Sequence, residues 1–114
     1  MNDLLLILKA IADKNRLRII KMLQQRSCCV CELTAVLNIT VSTVSNHLRI
    51  LKNAEIIEDL KDGKWVNYYL IKSSNSIFLN GLIPLLSFWL NNDDQIIADL
   101  KKLQTTNRDE LCNS

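Results

Sequence analysis

Three cysteines stand within four residues, Cys28-Cys29-Val30-Cys31, and a fourth, Cys112, lies near the end of the 114-residue chain. Thiolates are soft ligands, and a cluster of them with no histidine nearby selects thiophilic ions. Trivalent arsenic or antimony, which bonds three sulfurs in a pyramid, suits the count best; cadmium and lead are further candidates. Cys29 and Cys31 are the foremost ligands. Cys28 and Cys112 compete for the third place, Cys112 from the same subunit or from another. In a regular helix Cys29 and Cys31 point roughly 200° apart, so sharing one small ion requires that turn to bend or unwind. Cys28 and Cys31 would share a helix face and pair without distortion. A ligand that prefers a distorted state biases whatever the helix supports.

A second group of chemistry-bearing residues runs from Ser42 to Lys64. Val44, Leu48 and Leu51 fix the buried side of a helix over about Val41 to Asn53. The opposite face holds Ser42, Asn46, Arg49 and Asn53, with Thr43 and Ser45 at its shoulders and no carboxylate. Arg bonds guanine edges bidentately, Asn does so with adenine, and Ser/Thr serve bases or phosphates. A merely solvated face of this length ordinarily mixes in Glu or Asp, so this one reads as a DNA-reading surface. Lys52, Arg26, and the hairpin lysines Lys61 and Lys64 suit flanking phosphates, which add affinity and salt dependence rather than sequence choice. His47, the single histidine, falls roughly 60° from the centre of the buried stripe and reads as a partly buried side chain bonded to a backbone group. A triad or a His-ligated zinc site within the subunit finds no support.

The elements that must position these groups follow from periodicity. Asp3 to Ala12 is apolar almost all round, which predicts a helix buried by a partner subunit. Lys14 to Gln25 has an inner stripe of Leu17, Ile20 and Leu23, with Arg16, Arg18 and Lys21 outside it or at its edges. Val30, Leu33 and Leu37 keep helical spacing, Asn38-Ile39-Thr40 breaks it, and Thr40 or Ser42 can cap the next helix. Two short helices around a tight turn make a helix-turn-helix. Ile56 to Leu60 and Trp65 to Leu70 alternate on either side of Lys61-Asp62-Gly63-Lys64, a hairpin signal that makes a wing. From Ser73 the pattern is helical again, interrupted near Pro84 and at Asn91 to Asp94; Ile96, Ile97, Leu100 and Leu103 form the last stripe. The expected fold is mostly α with a β-hairpin wing, a winged helix-turn-helix in one domain over residues 1–114, dimeric through its N- and C-terminal helices.

Composition agrees with a single globular domain: 48% apolar, 23% charged, two glycines and one proline leave little room for linkers. Net charge is only +2, but residues 1–72 carry eleven Lys/Arg against seven Asp/Glu and the remainder three against five. A basic front suits an anion-binding face. The chain opens without the pattern of a secretory signal, and Ile77 to Leu90 is too short to span a bilayer. A cytoplasmic protein whose cysteines are thiols rather than disulfides is expected. A thiol oxidoreductase using Cys28-x-x-Cys31 would need a preceding strand, and none is read there.

Ala10-Ile11-Ala12-Asp13-Lys14-Asn15-Arg16-Leu17-Arg18-Ile19-Ile20, Ser42 to Lys52, and Asp62 to Leu70 resemble, in that order, the opening, recognition helix and wing of ArsR/SmtB-type repressors. The resemblance covers about residues 4 to 72. It implies a homodimeric winged-helix repressor, not an enzyme, that binds double-stranded operator DNA and leaves it on binding an inducer. Cys29-Val30-Cys31 resembles the Cys-Val-Cys element of the arsenic-sensing and cadmium/lead-sensing branches. The zinc/nickel branch uses histidines on a later helix, and residues 73–114 have none. The cadmium/lead branch adds N-terminal cysteines, and residues 1–27 have none, so the arsenic-responsive branch leads. Alternatives are sensing of Cd(II)/Pb(II) or of thiol oxidation. Two departures stand out: Thr34 where one arsenic-sensing subgroup has a third cysteine, and Glu55 where the family has glycine to end the helix left-handed.

Overall fold

The computed structural model describes residues 1–107 and 111. In chain order the elements are α1 (Asn2–Ile11), α2 (Lys14–Gln25), α3 (Val30–Leu37), α4 (Val41–Asn53), β1 (Ile57–Asp62), β2 (Trp65–Leu70), α5 (Ile77–Leu86) and α6 (Asp94–Gln104). Four of the helix starts described are capped by a side-chain oxygen. Asp13 accepts from the Arg16 N–H, Thr40 from Thr43, Ser76 from Leu79, and Asp93 from Gln95 and Ile96, satisfying amides that the helices leave open. Asn38 ends α3 at φ 57, in the left-handed region that Asn tolerates, and so turns the chain tightly into α4.

The two strands pair antiparallel from Ile57↔Leu70 to Asp62↔Trp65, leaving a two-residue loop of Gly63 and Lys64. The expected four-residue connection is thus two residues shorter, because Lys61 and Asp62 continue the ladder. Gly63 takes φ +61 at the first loop position, which a II′ hairpin requires and a side chain resists. This hairpin directly after the helix-turn-helix makes the fold a winged helix.

Ile19, Ile20, Met22, Leu33, Val44, Leu48, Leu51, Ile56 and Ile57 are fully buried and join α2, α3, α4 and the wing in one core. Burying each such side chain stabilises the fold by about 1.5–3 kcal/mol. On α2 Ile20 and Leu23 of the expected stripe are buried, Leu17 is only half-buried, and the buried set extends to Ile19, Lys21 and Met22. The Lys21 ammonium donates to the Leu86 carbonyl at 2.8 Å and to Asn91 Oδ1 at 3.0 Å, capping the end of α5. Arg18 is likewise covered, holding Asp99 of α6 through two bonds of 2.7 and 2.9 Å. The C-terminal helices lie against this side of α2, and the short-range period could not reveal that cover.

α1 behaves differently. Only Ile7 and Ala10 are buried within the chain, and Leu5, Leu6 and Leu8 remain 43–46% exposed. Ile77, Phe78 and Leu85 of α5 are exposed too, as are Phe88, Trp89 and Leu90 after it. α6, by contrast, packs on α2 and α3 of its own chain, so its stripe of Ile96, Leu100 and Leu103 is spent internally.

Glu55 sits at φ 62, and its N–H bonds the Lys52 carbonyl at 2.9 Å. The left-handed end is therefore present although the residue is not glycine. A side chain there costs about 1–2 kcal/mol, of which glycine's extra freedom in the unfolded chain returns part. Glu55→Gly is expected to stabilise the domain by about 1 kcal/mol, raising the melting temperature by roughly 4 °C in thermal denaturation. An unchanged or lower midpoint would mean that Glu55 carries no strain.

Candidate functional site

α4 lies across the molecule with Val44, Leu48 and Leu51 in the core, which turns Ser42, Thr43, Ser45, Asn46, Arg49, Lys52 and Asn53 to solvent. Lys61 and Lys64 are exposed on the wing beside it. The predicted DNA-contacting residues of the helix and the hairpin are therefore all accessible on the elements expected to carry them. Several are partly ordered already. Arg49 donates to Asn46 Oδ1 at 2.6 Å, so the two side chains expected to read bases sit side by side. Thr43 shares a hydroxyl contact of 2.8 Å with Thr40. Lys52 pairs with Asp59 of β1 at 2.9 Å, joining α4 to the wing, and the Lys64 ammonium lies 4.8 Å from the Trp65 ring centroid. Arg26 belongs elsewhere: it faces Glu32 and α6, not the recognition surface.

His47 is buried, but its partner is a side chain rather than the backbone group expected. Arg16 Nη1 lies 3.1 Å from His47 Nδ1, Arg16 Nε donates to the Ala10 carbonyl at 2.6 Å, and Nη2 to the Lys9 carbonyl at 3.2 Å. One guanidinium thus ties the end of α1 to the middle of α4. Burial disfavours the Asp13 carboxylate nearby, but the Arg16 N–H and the Arg16 and His47 charges prevail and hold its pKa below the ordinary value. Arg16 was not singled out from sequence, because nothing in its local spacing pairs it with a residue thirty-one positions on.

The cysteines sit where α3 begins. Cys28 is fully buried and forms an antiparallel bridge to β2, its N–H donating to the Tyr68 carbonyl at 3.0 Å and its carbonyl accepting from the Tyr68 N–H at 2.8 Å. Burial pushes its thiol up to about 12, against the opposing charge of Arg26. Cys29 is the N-cap of α3, at φ −87 and ψ 169, and Val30 is the first helical residue. The Cys29 N–H donates to Glu32 Oε1 at 3.0 Å while the Glu32 N–H is directed at the Cys29 sulfur, a capping box with cysteine in the serine's place. Burial raises this thiol as well, with the Glu32 N–H opposing it. Cys31 lies inside the first turn and is half-buried.

These positions correct three expectations. Cys29 is already extended, so the opposed directions of an intact helix do not apply to Cys29 and Cys31. Cys28 stands outside the helix and shares no face with Cys31. Cys28 and Cys29 carry thiols, but Cys31 is disulfide-bonded, so the cysteines are not uniformly thiols. Cys112 lies outside the described residues. Among the described residues no three His, Cys, Asp or Glu side chains are grouped to hold an ion. The donor chemistry at Cys29 and Cys31 suits a thiophilic ion, and a full set needs a further sulfur and movement at the cap.

Cys28's raised pKa has a sign. Its contribution to folding is complete below the ordinary value of 9.0 and is lost as pH rises toward about 12. Denaturant titrations of reduced protein between neutral pH and about pH 11 are expected to show stability falling more steeply above pH 9.0 in the parent than in Cys28→Ala. Parallel pH dependences would show that Cys28 titrates as an ordinary thiol.

Comparison with known proteins agrees with this geometry. Residues 13–59 match the family model described as bacterial regulatory protein, arsR family. The cadmium resistance transcriptional regulatory protein CadC of Listeria innocua is 32% identical over 79% of this chain and 71% of its own length. The arsenical resistance operon repressor of Bacillus subtilis is 42% identical over 66% of this chain and 69% of its own. Among solved structures, HlyU from Vibrio cholerae N16961 superposes with a TM-score of 0.65 at 28% identity, covering 79% of this chain and 95% of that one. The match reaches from the N-cap of α2 into the wing, so it takes in the thiol segment and all of α4 together. The chain belongs to the arsR family of bacterial regulatory proteins, helix-turn-helix transcription regulators that bind DNA.

Proposed function

We propose that this protein is a homodimeric repressor that holds operator DNA through α4 and the wing and releases it when a thiophilic ion, As(III) or Sb(III) foremost, binds Cys29 and Cys31. Carrying the proposal is the attachment of the thiol segment to both parts of the DNA-binding surface. It caps α3, which packs on α4, and it is bridged to β2 of the wing through Cys28 and Tyr68. Relatives named for arsenical and for cadmium resistance support an ion of this class, and Cd(II) or Pb(II) is the alternative inducer.

Once a thiol reductant has opened the Cys31 disulfide, itself being oxidised to a disulfide, an ion bound here would replace thiol protons and draw sulfurs together. Two of those sulfurs are assigned to Cys29 and Cys31. Cys112 is preferred over Cys28 for the third, because the Cys28 thiol is deeply buried and resists losing its proton. For Cys29 to turn toward a shared ligand it must give up the capping box. Each lost cap bond costs about 1 kcal/mol. Sums of that size match the 1–3 kcal/mol by which coupled sites ordinarily influence each other. Base reading is assigned to Asn46 and Arg49 with Ser42, Thr43 and Ser45, and phosphate contacts to Lys52, Lys61 and Lys64. The exposed leucines of α1 and the apolar face of α5 are the proposed dimer interface, in a protein working in the cytoplasm. The described residues contain no helix long and apolar enough to cross a membrane. Thiol oxidation is a second reading, and the disulfide at Cys31 favours it.

Anisotropy of a labelled duplex from the gene's upstream region tests the proposal. Binding is expected to be salt-sensitive and reversed by arsenite under reducing conditions, while Cys29→Ser/Cys31→Ser binds DNA but ignores arsenite. Arg49→Ala should weaken operator binding about 10–100-fold, the effect of losing a bidentate base contact. Release by a disulfide-forming oxidant with no response to arsenite would select the oxidation reading. Binding that neither agent changes would remove both sensing readings.

A further inference from the structure

Cys29 is only 3% exposed, so a ligand reaches it only after something moves. The backbone before it is exposed from Gln25 to Ser27, and on its other side α6 packs against α3. Besides its buried Ile96 and Leu103, α6 is held by polar contacts at two places of unequal strength. Its middle is held by the covered, two-bond pair of Arg18 and Asp99, which Gln95 braces at 2.9 Å. Its end is held by Arg26, whose Nη2 donates to the Leu103 and Thr106 carbonyls at 3.3 and 3.4 Å. Arg26 Nη1 meets Glu32 Oε2 at 2.6 Å, and the other oxygen of that carboxylate takes the Cys29 N–H. A single chain of contacts therefore runs from the Cys29 cap through Glu32 and Arg26 to the last turn of α6.

We infer that the last turn of α6 is a latch on the thiol segment, closed by Arg26 on Glu32, and that it must open before a thiol-seeking ligand reaches Cys29. This deepens the reading of Cys29 as a sensing thiol and names Arg26 as a positioning residue. The Arg26 side chain is 39% exposed while Glu32 is 4%, so opening exposes the carboxylate to water and breaks the weaker of the two anchors. Arg18 and Asp99 keep the rest of α6 docked. Of the two carbonyls released at the end of α6, that of Leu103 already accepts the Thr106 N–H at 3.1 Å and that of Thr106 can turn to water. Opening is thus confined to one turn.

Iodoacetamide alkylation of the whole, pre-reduced protein under native conditions, read cysteine by cysteine by fragment mass spectrometry, tests the latch without any metal. In Arg26→Ala, Cys29 should react about fivefold faster than in the parent, the factor for an anchor of about 1 kcal/mol, with the Cys28 rate unchanged. Electrostatics alone predicts the reverse, since removing a cation beside thiols disfavours thiolates. An unchanged or slower Cys29 overturns the inference, and so does equal acceleration of Cys28 and Cys29, which would signal general loosening. Should the alanine variant fail to fold, Arg26→Lys, which keeps the charge but not the forked reach, is expected to give a smaller acceleration; none at all would overturn the latch. Because no ion is used, this outcome is independent of whether arsenite releases DNA.

Discussion

A carboxylate taken out of water must be given donors or cations, and Glu32, 3% exposed at the start of α3, receives both. One oxygen takes the Cys29 N–H and the other the Arg26 guanidinium. Through the first, α3 begins at Val30 and not earlier, which leaves Cys28 extended and able to bridge Tyr68. Through the second, the end of α6 is held to the same corner. Were Glu32 apolar, the cap and the α6 anchor would each lose a partner. Burial opposes thiolate formation at Cys28 and Cys29, and the same carboxylate adds to it, so these two thiols favour the protonated form.

A parallel arrangement serves the DNA-facing side. Arg16 spends its guanidinium on the Ala10 and Lys9 carbonyls and on His47, fastening the end of α1 to the recognition helix. With α1 proposed as a dimer element, the angle between the two recognition helices of a dimer would be set in part by this guanidinium. Half-site spacing on DNA is a matter of geometry, so small changes at such a fastening carry large consequences for affinity. The thiol segment and the helix-turn-helix thus meet through packed elements: α3 against α4, and Cys28 on the wing by backbone bonds.

Much of this was legible in the chain. The extents of α2 and α4 follow from the apolar period, and Thr40, one of two cap candidates with Ser42, proves to be the cap of α4. The wing followed from the Asp62-Gly63 pair, and the left-handed end at Glu55 was implied by the family resemblance alone. Where the reading went astray, the missing information was long-range. Lys21 and Arg18 were placed at the helix edge because nothing near them in sequence announces the cover of α5 and α6. Arg26 was assigned to phosphate because its partners lie six residues on and across the fold. One miss was avoidable: Cys29-x-x-Glu32 has the spacing of a capping box, and recognising cysteine as a stand-in for serine would have put Cys29 outside the helix.

The central claim is that thiol ligation and operator binding draw on one conformational equilibrium, and linkage makes it directly measurable. Arsenite affinity of the reduced protein should be determined by calorimetric titration, once free and once saturated with operator duplex. The account predicts that operator weakens arsenite binding by the same factor by which arsenite weakens operator binding, at least about tenfold. Equal arsenite affinity in the two titrations would contradict it, showing that ligand at Cys29 and Cys31 does not distinguish the DNA-bound state from the free one.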